Sequence, residues 1–169
     1  MKLLHLSDLH IGKSIGNYSL IEDQRYALEE IVKIVEKKDI DVVLIAGDIF
    51  DTSIPSSDAL SLYSDFLDEL IFRLDKKVLA IAGNHDSSKR LDINKNFYRS
   101  NNYFLVSELE RKPIVLEDKY GKINFYLIPF ISLAKAKAEI DSEIENFTDL
   151  YRQILNDISY EDRNVLVSH

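Results

Sequence analysis

Apolar positions along this chain follow two periods. Short unbroken apolar runs occupy 42–46 (Val42, Val43, Leu44, Ile45, Ala46) and 78–82, the latter in a strand read over 77–82, and a less pure run occupies 2–7. Five apolar residues in a row predict a strand buried on both faces. Between these runs the period lengthens to that of a helix. Leu28, Ile31, Val32 and Val35 predict a helix over 20–37, closed by Lys37 and Lys38, whose charges suit the C-terminal end of the dipole. Leu60, Tyr63, Leu67, Leu70, Ile71 and Leu74 predict a second helix ending near residue 74. Pro55, Ser56 and Ser57 before it supply turn and N-cap chemistry.

The second half is less regular. Residues 87–102 read as a loop with a short helix, and 103–106 as a short strand. Residues 114–117 and 123–128 flank Asp118-Lys119-Tyr120-Gly121 and predict a hairpin, ended by Pro129. Ser132 is placed to cap one helix, and Asn146 or Thr148 another reaching 158. Residues 164–168 predict a last buried strand that delivers His169. The class is α/β: strand, helix, strand, helix, strand, with right-handed crossovers making the strands parallel.

Bulk properties narrow the class only modestly. A chain of 169 residues fits one domain, and no repeat, low-complexity tract or linker divides it. There is no cysteine, so disulfides and thiolate chemistry are excluded. No stretch approaches the roughly 18 apolar residues of a membrane helix, and no basic-then-apolar leader opens the chain; a cytoplasmic protein with no membrane partner is the expectation. A net charge of −8 argues against coating nucleic acid by bulk electrostatics. It leaves room for local phosphate contact at a site where bound cations reverse the field.

Three of the apolar runs end in polar clusters: Asp8-Leu9-His10, then Gly47-Asp48-Ile49-Phe50-Asp51, then Gly83-Asn84-His85-Asp86. A lone acid at a strand end is usually a turn residue or a cap. Three such clusters at consecutive strand ends bring sequence-distant side chains to one rim of a parallel sheet, where ligands bind. Asp8, His10, Asp48, Asn84 and His169 offer carboxylate, imidazole and amide ligands without sulfur. That set suits Mn²⁺, Fe²⁺, Zn²⁺ or Mg²⁺. Asp48, with two oxygens, is able to bridge two ions. Two cations about 3.5–4 Å apart activate water and polarise a phosphoryl oxygen. His85 would contact the phosphate or protonate the leaving oxygen, with Asp86 orienting its ring. The chemistry is in-line phosphoester hydrolysis. His5 reads as a satisfied interior histidine, and Asp51 as either an outer support or a loop hydrogen-bonder. Lys89, Arg90, Tyr18 and Arg25 are weaker candidates for substrate contact, and Lys135 and Lys137 read as helix surface.

The clusters resemble the calcineurin-like metallophosphoesterases, whose pattern runs Asp-x-His, Gly-Asp, Gly-Asn-His-Asp/Glu, His, Gly-His-x-His. Leu4 to Lys13, Ala46 to Thr52 with Pro55, and Ala82 to Ser87 are similar to the SbcD-type nuclease subunits of bacteria in particular. Ile128-Pro129-Phe130 and Ser168-His169 follow in the expected order. The resemblance implies a layered αββα sandwich of mixed sheets with helices outside. It implies Asp8 and His10 on one ion, Asn84 and His169 on the other, Asp48 between them, and His85 at the scissile phosphate. It further implies a Mn²⁺-dependent DNA nuclease subunit of a repair complex. Such a subunit acts on DNA ends (3′ to 5′) and hairpins, partners an SbcC-like coiled-coil ATPase, and is a homodimer when complete.

Two departures stand out. Archaeal and eukaryotic relatives usually carry histidine where this chain has Asp51, and the bacterial branch tolerates aspartate. The Gly-His-x-His block is absent, so residues 1–169 read as the N-terminal part of the nuclease domain, incomplete at its C-terminal side. DNA-capping and ATPase-binding regions are then absent too. The expectation for such a piece is weak metal affinity, poor nuclease activity and an unpaired sheet edge. Action on small phosphoesters is the alternative reading.

Overall fold

The computed structural model describes residues 1–93, 95–156, 158 and 163–169, with Lys95 described by its backbone alone. The chain runs β1 (Leu3–Leu6), β2 (Ser14–Ile15), β3 (Tyr18–Ser19), α1 (Ile21–Lys38), β4 (Val42–Ala46) and α2 (Ser57–Asp68). It continues through β5 (Lys77–Ile81), α3 (Ser88–Leu91), α4 (Lys95–Arg99), β6 (Tyr103–Val106), β7 (Ile114–Asp118) and β8 (Gly121–Ile128). It finishes with α5 (Leu133–Glu139), α6 (Phe147–Leu155) and β9 (Arg163–Ser168).

Strands β1, β4, β5 and β6 form one parallel sheet in that order, with Leu3 beside Val42, Val43 beside Val78 and Val78 beside Tyr103. Strands β7, β8 and β9 form a second, mixed sheet, antiparallel between β7 and β8 and parallel between β8 and β9. Every residue of β4 is buried, as its unbroken apolar run predicts. Val43 and Ile45 face one way, toward Leu28, Val32 and Val35 of α1 and Leu62 and Phe66 of α2. Val42, Leu44 and Ala46 face the other way, against Phe125 and Leu127 of β8 and Val167 of β9. Helices α5 and α6 build a third cluster around Ala136, Ile144 and Leu150. Their Ile140 and Ile154 share a small cavity with Tyr126 and Ile128, on the outer face of β8. The layers are therefore helix, sheet, sheet, helix.

Local signals set most boundaries. Ser56 caps α2 by accepting from the Ala59 amide, Ser132 caps α5 from Lys135, and Asn146 rather than Thr148 caps α6 from Asp149. The left-handed Asp39 closes α1. The hairpin after β7 turns at Gly121, whose φ of +103° suits a residue without Cβ. A hydroxyl pair, Tyr63 to Tyr103 at 2.8 Å, is buried between α2 and β6. Burial pushes both phenols well above their ordinary pKa.

Several expectations change. Between β1 and α1, where no strand is expected from the sequence pattern, lies a small hairpin, β2 with β3, which pairs Ile15 with Tyr18; strands of two residues carry no readable period. The second helix loosens after Asp68 into a wide π-helical turn, Glu69–Arg73. The helix expected to reach 158 ends at Leu155, and Asp157 lies outside the described residues. Within 87–102 there are two short helices, and Asn94 between them also lies outside. His5 is exposed, not interior. Its strand is the edge of the first sheet, and it points to the side on which only β4, β5 and β6 contribute to the packing against the second sheet. Strand β9 is likewise an edge of its sheet, and only its Val167 is fully buried.

Candidate metal centre

The carboxyl ends of β1, β4, β5 and β9 open onto one rim. Asp8 and Asp48 each stand two residues beyond their strand, Asn84 three beyond, and His169 directly after β9. The backbone at these exits is unusual. Asp8, His10 and Asp48 all have positive φ, at 56°, 43° and 49°. Left-handed backbone costs a residue with a Cβ about 1–2 kcal/mol, so the surroundings must hold it. The β1 loop is stitched to the β4 loop by the Asp8 amide on the Gly47 carbonyl (3.2 Å), His10 on Asp48 (3.0 Å) and Ile11 on Ile49 (2.9 Å). Two glycines make the close approach feasible. A Cβ on Gly83 would overlap the amide nitrogen and Oδ1 of Asp48, and one on Gly47 would overlap the His169 ring.

All five sequence-predicted ligands converge. His169 Nδ1 is 2.8 Å from the Ala46 carbonyl. A carbonyl only accepts, so Nδ1 carries the proton and Nε2 presents a lone pair. That lone pair faces Asn84 Oδ1 at 3.1 Å and Asp48 Oδ2 at 3.5 Å. On the other side of the same oxygen, His10 Nε2 lies at 3.6 Å, and it is 3.8 Å from Asp8 Oδ1. Asp48 is only 3% exposed, and its Oδ1 accepts from the His85 amide at 2.9 Å. A buried carboxylate ringed by lone pairs is unfavourable unless a cation neutralises it. The ligand atoms of Asp8, His10 and Asp48 fall within 4.8 Å of one another. Hard oxygens with imidazole nitrogens fit a divalent cation.

Asp51 emerges with a larger part than its sequence position suggests. Its Oδ1 is 3.2 Å from His10 Nδ1, and its carbonyl accepts from His85 Nδ1 at 2.8 Å. That bond to the Asp51 carbonyl raises the His85 pKa above its ordinary value; the carboxylates of Asp48, Asp51 and Asp86 add to it, against some desolvation. The rings of His10 and His85 meet edge to face at 5.0 Å.

Asp86 does not orient His85, contrary to expectation. Its carboxylate accepts from three backbone amides, those of Ile49 (3.1 Å), Phe50 (3.0 Å) and Gly83 (2.9 Å). It is a clasp between the β4 and β5 loops. The motif encodes a carboxylate beside the histidine but not which donors will surround it.

The weaker candidates scatter. Arg25 pairs with Glu22 and Asp65 on α1 and α2, and Lys135 with Glu108 and Glu139. Lys89 and Arg90 are exposed on α3, and Tyr18 is 64% exposed on the hairpin. Lys13, not singled out by its sequence position, brings its Nζ to 3.9 Å from Asp51 Oδ1. Gln24 escapes sequence reasoning as well. It sits in α1 and bonds the backbone of the Asp-x-His loop, and nothing in its local sequence marks it. No helix among the described residues is long and apolar enough to cross a membrane.

The chain is 30% identical to the SbcD subunit of the nuclease SbcCD from Staphylococcus epidermidis over 176 residues, which takes in 100% of this chain and 46% of that protein. It thus spans about half the length of the curated relative it matches. A crystal structure of the Pseudomonas putida nuclease MPE aligns with 74% of this chain and 52% of its own, at 22% identity and a TM-score of 0.41. The family model described as calcineurin-like phosphoesterase matches residues 1–169, and the chain belongs to that family.

Proposed function

We propose that this chain is the catalytic part of a metal-dependent DNA nuclease subunit that hydrolyses phosphodiester bonds at DNA ends and hairpins. The observation that carries the reading is the convergence of His10 and His169 on Oδ2 of one buried carboxylate, Asp48, with Asp8 beside the first imidazole and Asn84 beside the second. The 30% identity to a nuclease subunit along the whole chain supports DNA as the substrate. An SbcC-like coiled-coil ATPase as partner, dimerisation of the complete protein, and a cytoplasmic role in DNA repair extend from the same relative.

Asp8 and His10 would hold one divalent cation, Asn84 and His169 a second, and Asp48 both. Mn²⁺ is the proposed ion. Such cations supply Lewis acidity toward a phosphoryl oxygen and lower the pKa of water. The protein supplies the rest. The Ala46 carbonyl fixes the His169 tautomer, so that Nε2 is free to ligate. The Asp51 carbonyl accepts from His85 Nδ1, so Nε2 is the ring atom that would face the leaving oxygen. The same bond raises the His85 pKa and so favours the protonated ring that would act as the acid. Asp86 holds the loop that carries it.

The test uses the complete protein. Blunt duplex and hairpin DNA are assayed with Mn²⁺ beside bis-p-nitrophenyl phosphate. DNA cleavage that is lost in His85→Ala supports the nuclease. Turnover of the small ester with no DNA cleavage in any state moves the assignment to a phosphodiesterase of small molecules. Residues 1–169, which span 46% of the nuclease relative, are expected to be poorly active alone, and full Mn²⁺-dependent nuclease activity from them would contradict that expectation.

A further inference from the structure

The loop that carries Asp8 and His10 is held from two sides. The β4 loop holds one side through the backbone bonds already described. The other is held by Gln24 of α1. Its Oε1 accepts from the Gly12 amide at 2.9 Å. Its Nε2 donates to the His10 carbonyl at 2.7 Å and to the Leu9 carbonyl at 3.2 Å. This network fixes which end of the amide is which: turned over, the amide would set NH₂ against N–H and oxygen against two carbonyls. Three hydrogen bonds from one side chain thus bracket His10, whose φ of 43° is disfavoured for any residue with a Cβ. Gly12, the last residue of the bracket, has a φ of +91°. Gln24 touches neither the carboxylates nor the imidazoles. It acts on the peptide groups that aim them.

We propose that Gln24 is a positioning residue for His10, holding the left-handed backbone that directs the imidazole at Asp8 and Asp48, and that cation affinity therefore depends on it. The inference rests on the reading that Asp8, His10 and Asp48 hold a cation. Residues that orient ligands from outside the coordination sphere typically change metal affinity about 10–100-fold when replaced.

The experiment compares the 169-residue chain with Gln24→Met, which keeps length and helix propensity but makes none of the three bonds, and with Arg25→Met as a control on the same turn. Three quantities are measured: Mn²⁺ affinity by calorimetry, the thermal midpoint by circular dichroism, and the ring ¹H–¹⁵N signals of the four histidines without metal. Gln24→Met is expected to weaken Mn²⁺ binding by about tenfold or more and to displace the His10 signals while His5 stays put. Arg25→Met should match the wild type. Unchanged affinity and unchanged His10 signals in folded Gln24→Met overturn the proposal. So does a loss of affinity with all four histidines displaced together and the midpoint falling in step, which assigns Gln24 to overall stability. Should Gln24→Met not fold, Gln24→Glu keeps the acceptor facing Gly12 without the donors. Weaker Mn²⁺ binding despite its added negative charge supports the proposal, and equal or tighter binding overturns it. Should the wild-type chain bind no measurable Mn²⁺, the metal-free His10 signals decide the positioning role alone.

Discussion

His169 Nε2 stands 3.5 Å from Asp48 Oδ2, although the first follows β9 of the mixed sheet and the second follows β4 of the parallel sheet. The two sheets therefore meet at the site as well as in the core, and Asp48 is the point where their ligands join. Asp48→Ala is expected to abolish Mn²⁺ binding altogether, measured by calorimetry. His169→Ala should remove one side of the site and leave Asp8 and His10 able to bind more weakly. Equal affinities in the two variants would remove Asp48 from its bridging place.

His85 and Asp86 are adjacent but do different work. His85→Ala should cost the complete enzyme a large factor in kcat, of the order of 10²–10⁴ for a lost acid, with metal affinity mostly kept. Asp86→Ala leaves the Ile49, Phe50 and Gly83 amides without their acceptor. It should lower stability in urea by about 2–4 kcal/mol, since bonds to a charged acceptor are worth about 1.5–3 kcal/mol each and do not simply add. A stable Asp86→Ala protein with a catalytic defect alone would restore the role first expected of it.

Gly83 and Gly47 allow the strand ends to pack against the ligands. Gly83→Ala should destabilise by about 1–3 kcal/mol through overpacking and displace Asp48. Gly47→Ala adds a left-handed penalty to its overlap with His169. Both losses would be visible in urea midpoints. Gly16→Ala, where nothing lies within 4 Å of the added carbon, is the comparison that isolates the backbone term, since its φ of +60° carries only that cost.

The Tyr63–Tyr103 pair tests buried polar packing away from the site. Tyr63→Phe strands the Tyr103 hydroxyl and should cost about 1–3 kcal/mol. The double variant Tyr63→Phe with Tyr103→Phe should recover part of that loss, because no polar group is then left unpaired. Additive losses in the double-mutant cycle would mean that the two hydroxyls do not depend on each other.

Asp118 sets an acid limit on stability. Arg163 bonds it through both guanidinium nitrogens, at 2.8 and 3.1 Å, and the Met1 amino group joins at 2.8 Å. The Arg163 bonds, then the Met1 amine and the Tyr120 amide, hold its pKa well below the usual carboxylate range. A depressed folded pKa means that the unfolded chain takes up a proton first as pH falls. The stabilisation is present above about pH 4 and fades as pH drops toward the folded value. Urea midpoints measured from pH 6 downward should fall below about pH 4, and Asp118→Asn should be less stable at pH 6 with a flatter acid limb.

The buried strand Val42–Ala46, the caps at Ser56 and Ser132, and the five candidate ligand residues that the fold brings together could be read from the chain itself. Period and capping are properties of neighbouring residues, and metal-binding chemistry belongs to side-chain type, so both survive without coordinates. Tertiary structure alone decided that Asp86 clasps backbone amides, that His85 leans on the Asp51 carbonyl, that His5 faces solvent and that Gln24 grips the Asp-x-His loop. Each of those facts depends on which backbone donors and acceptors are brought together from loops far apart in sequence, or on which face of an edge strand another sheet covers. A carboxylate or an amide bonds whatever the fold places beside it, and its own neighbours along the chain do not determine that choice.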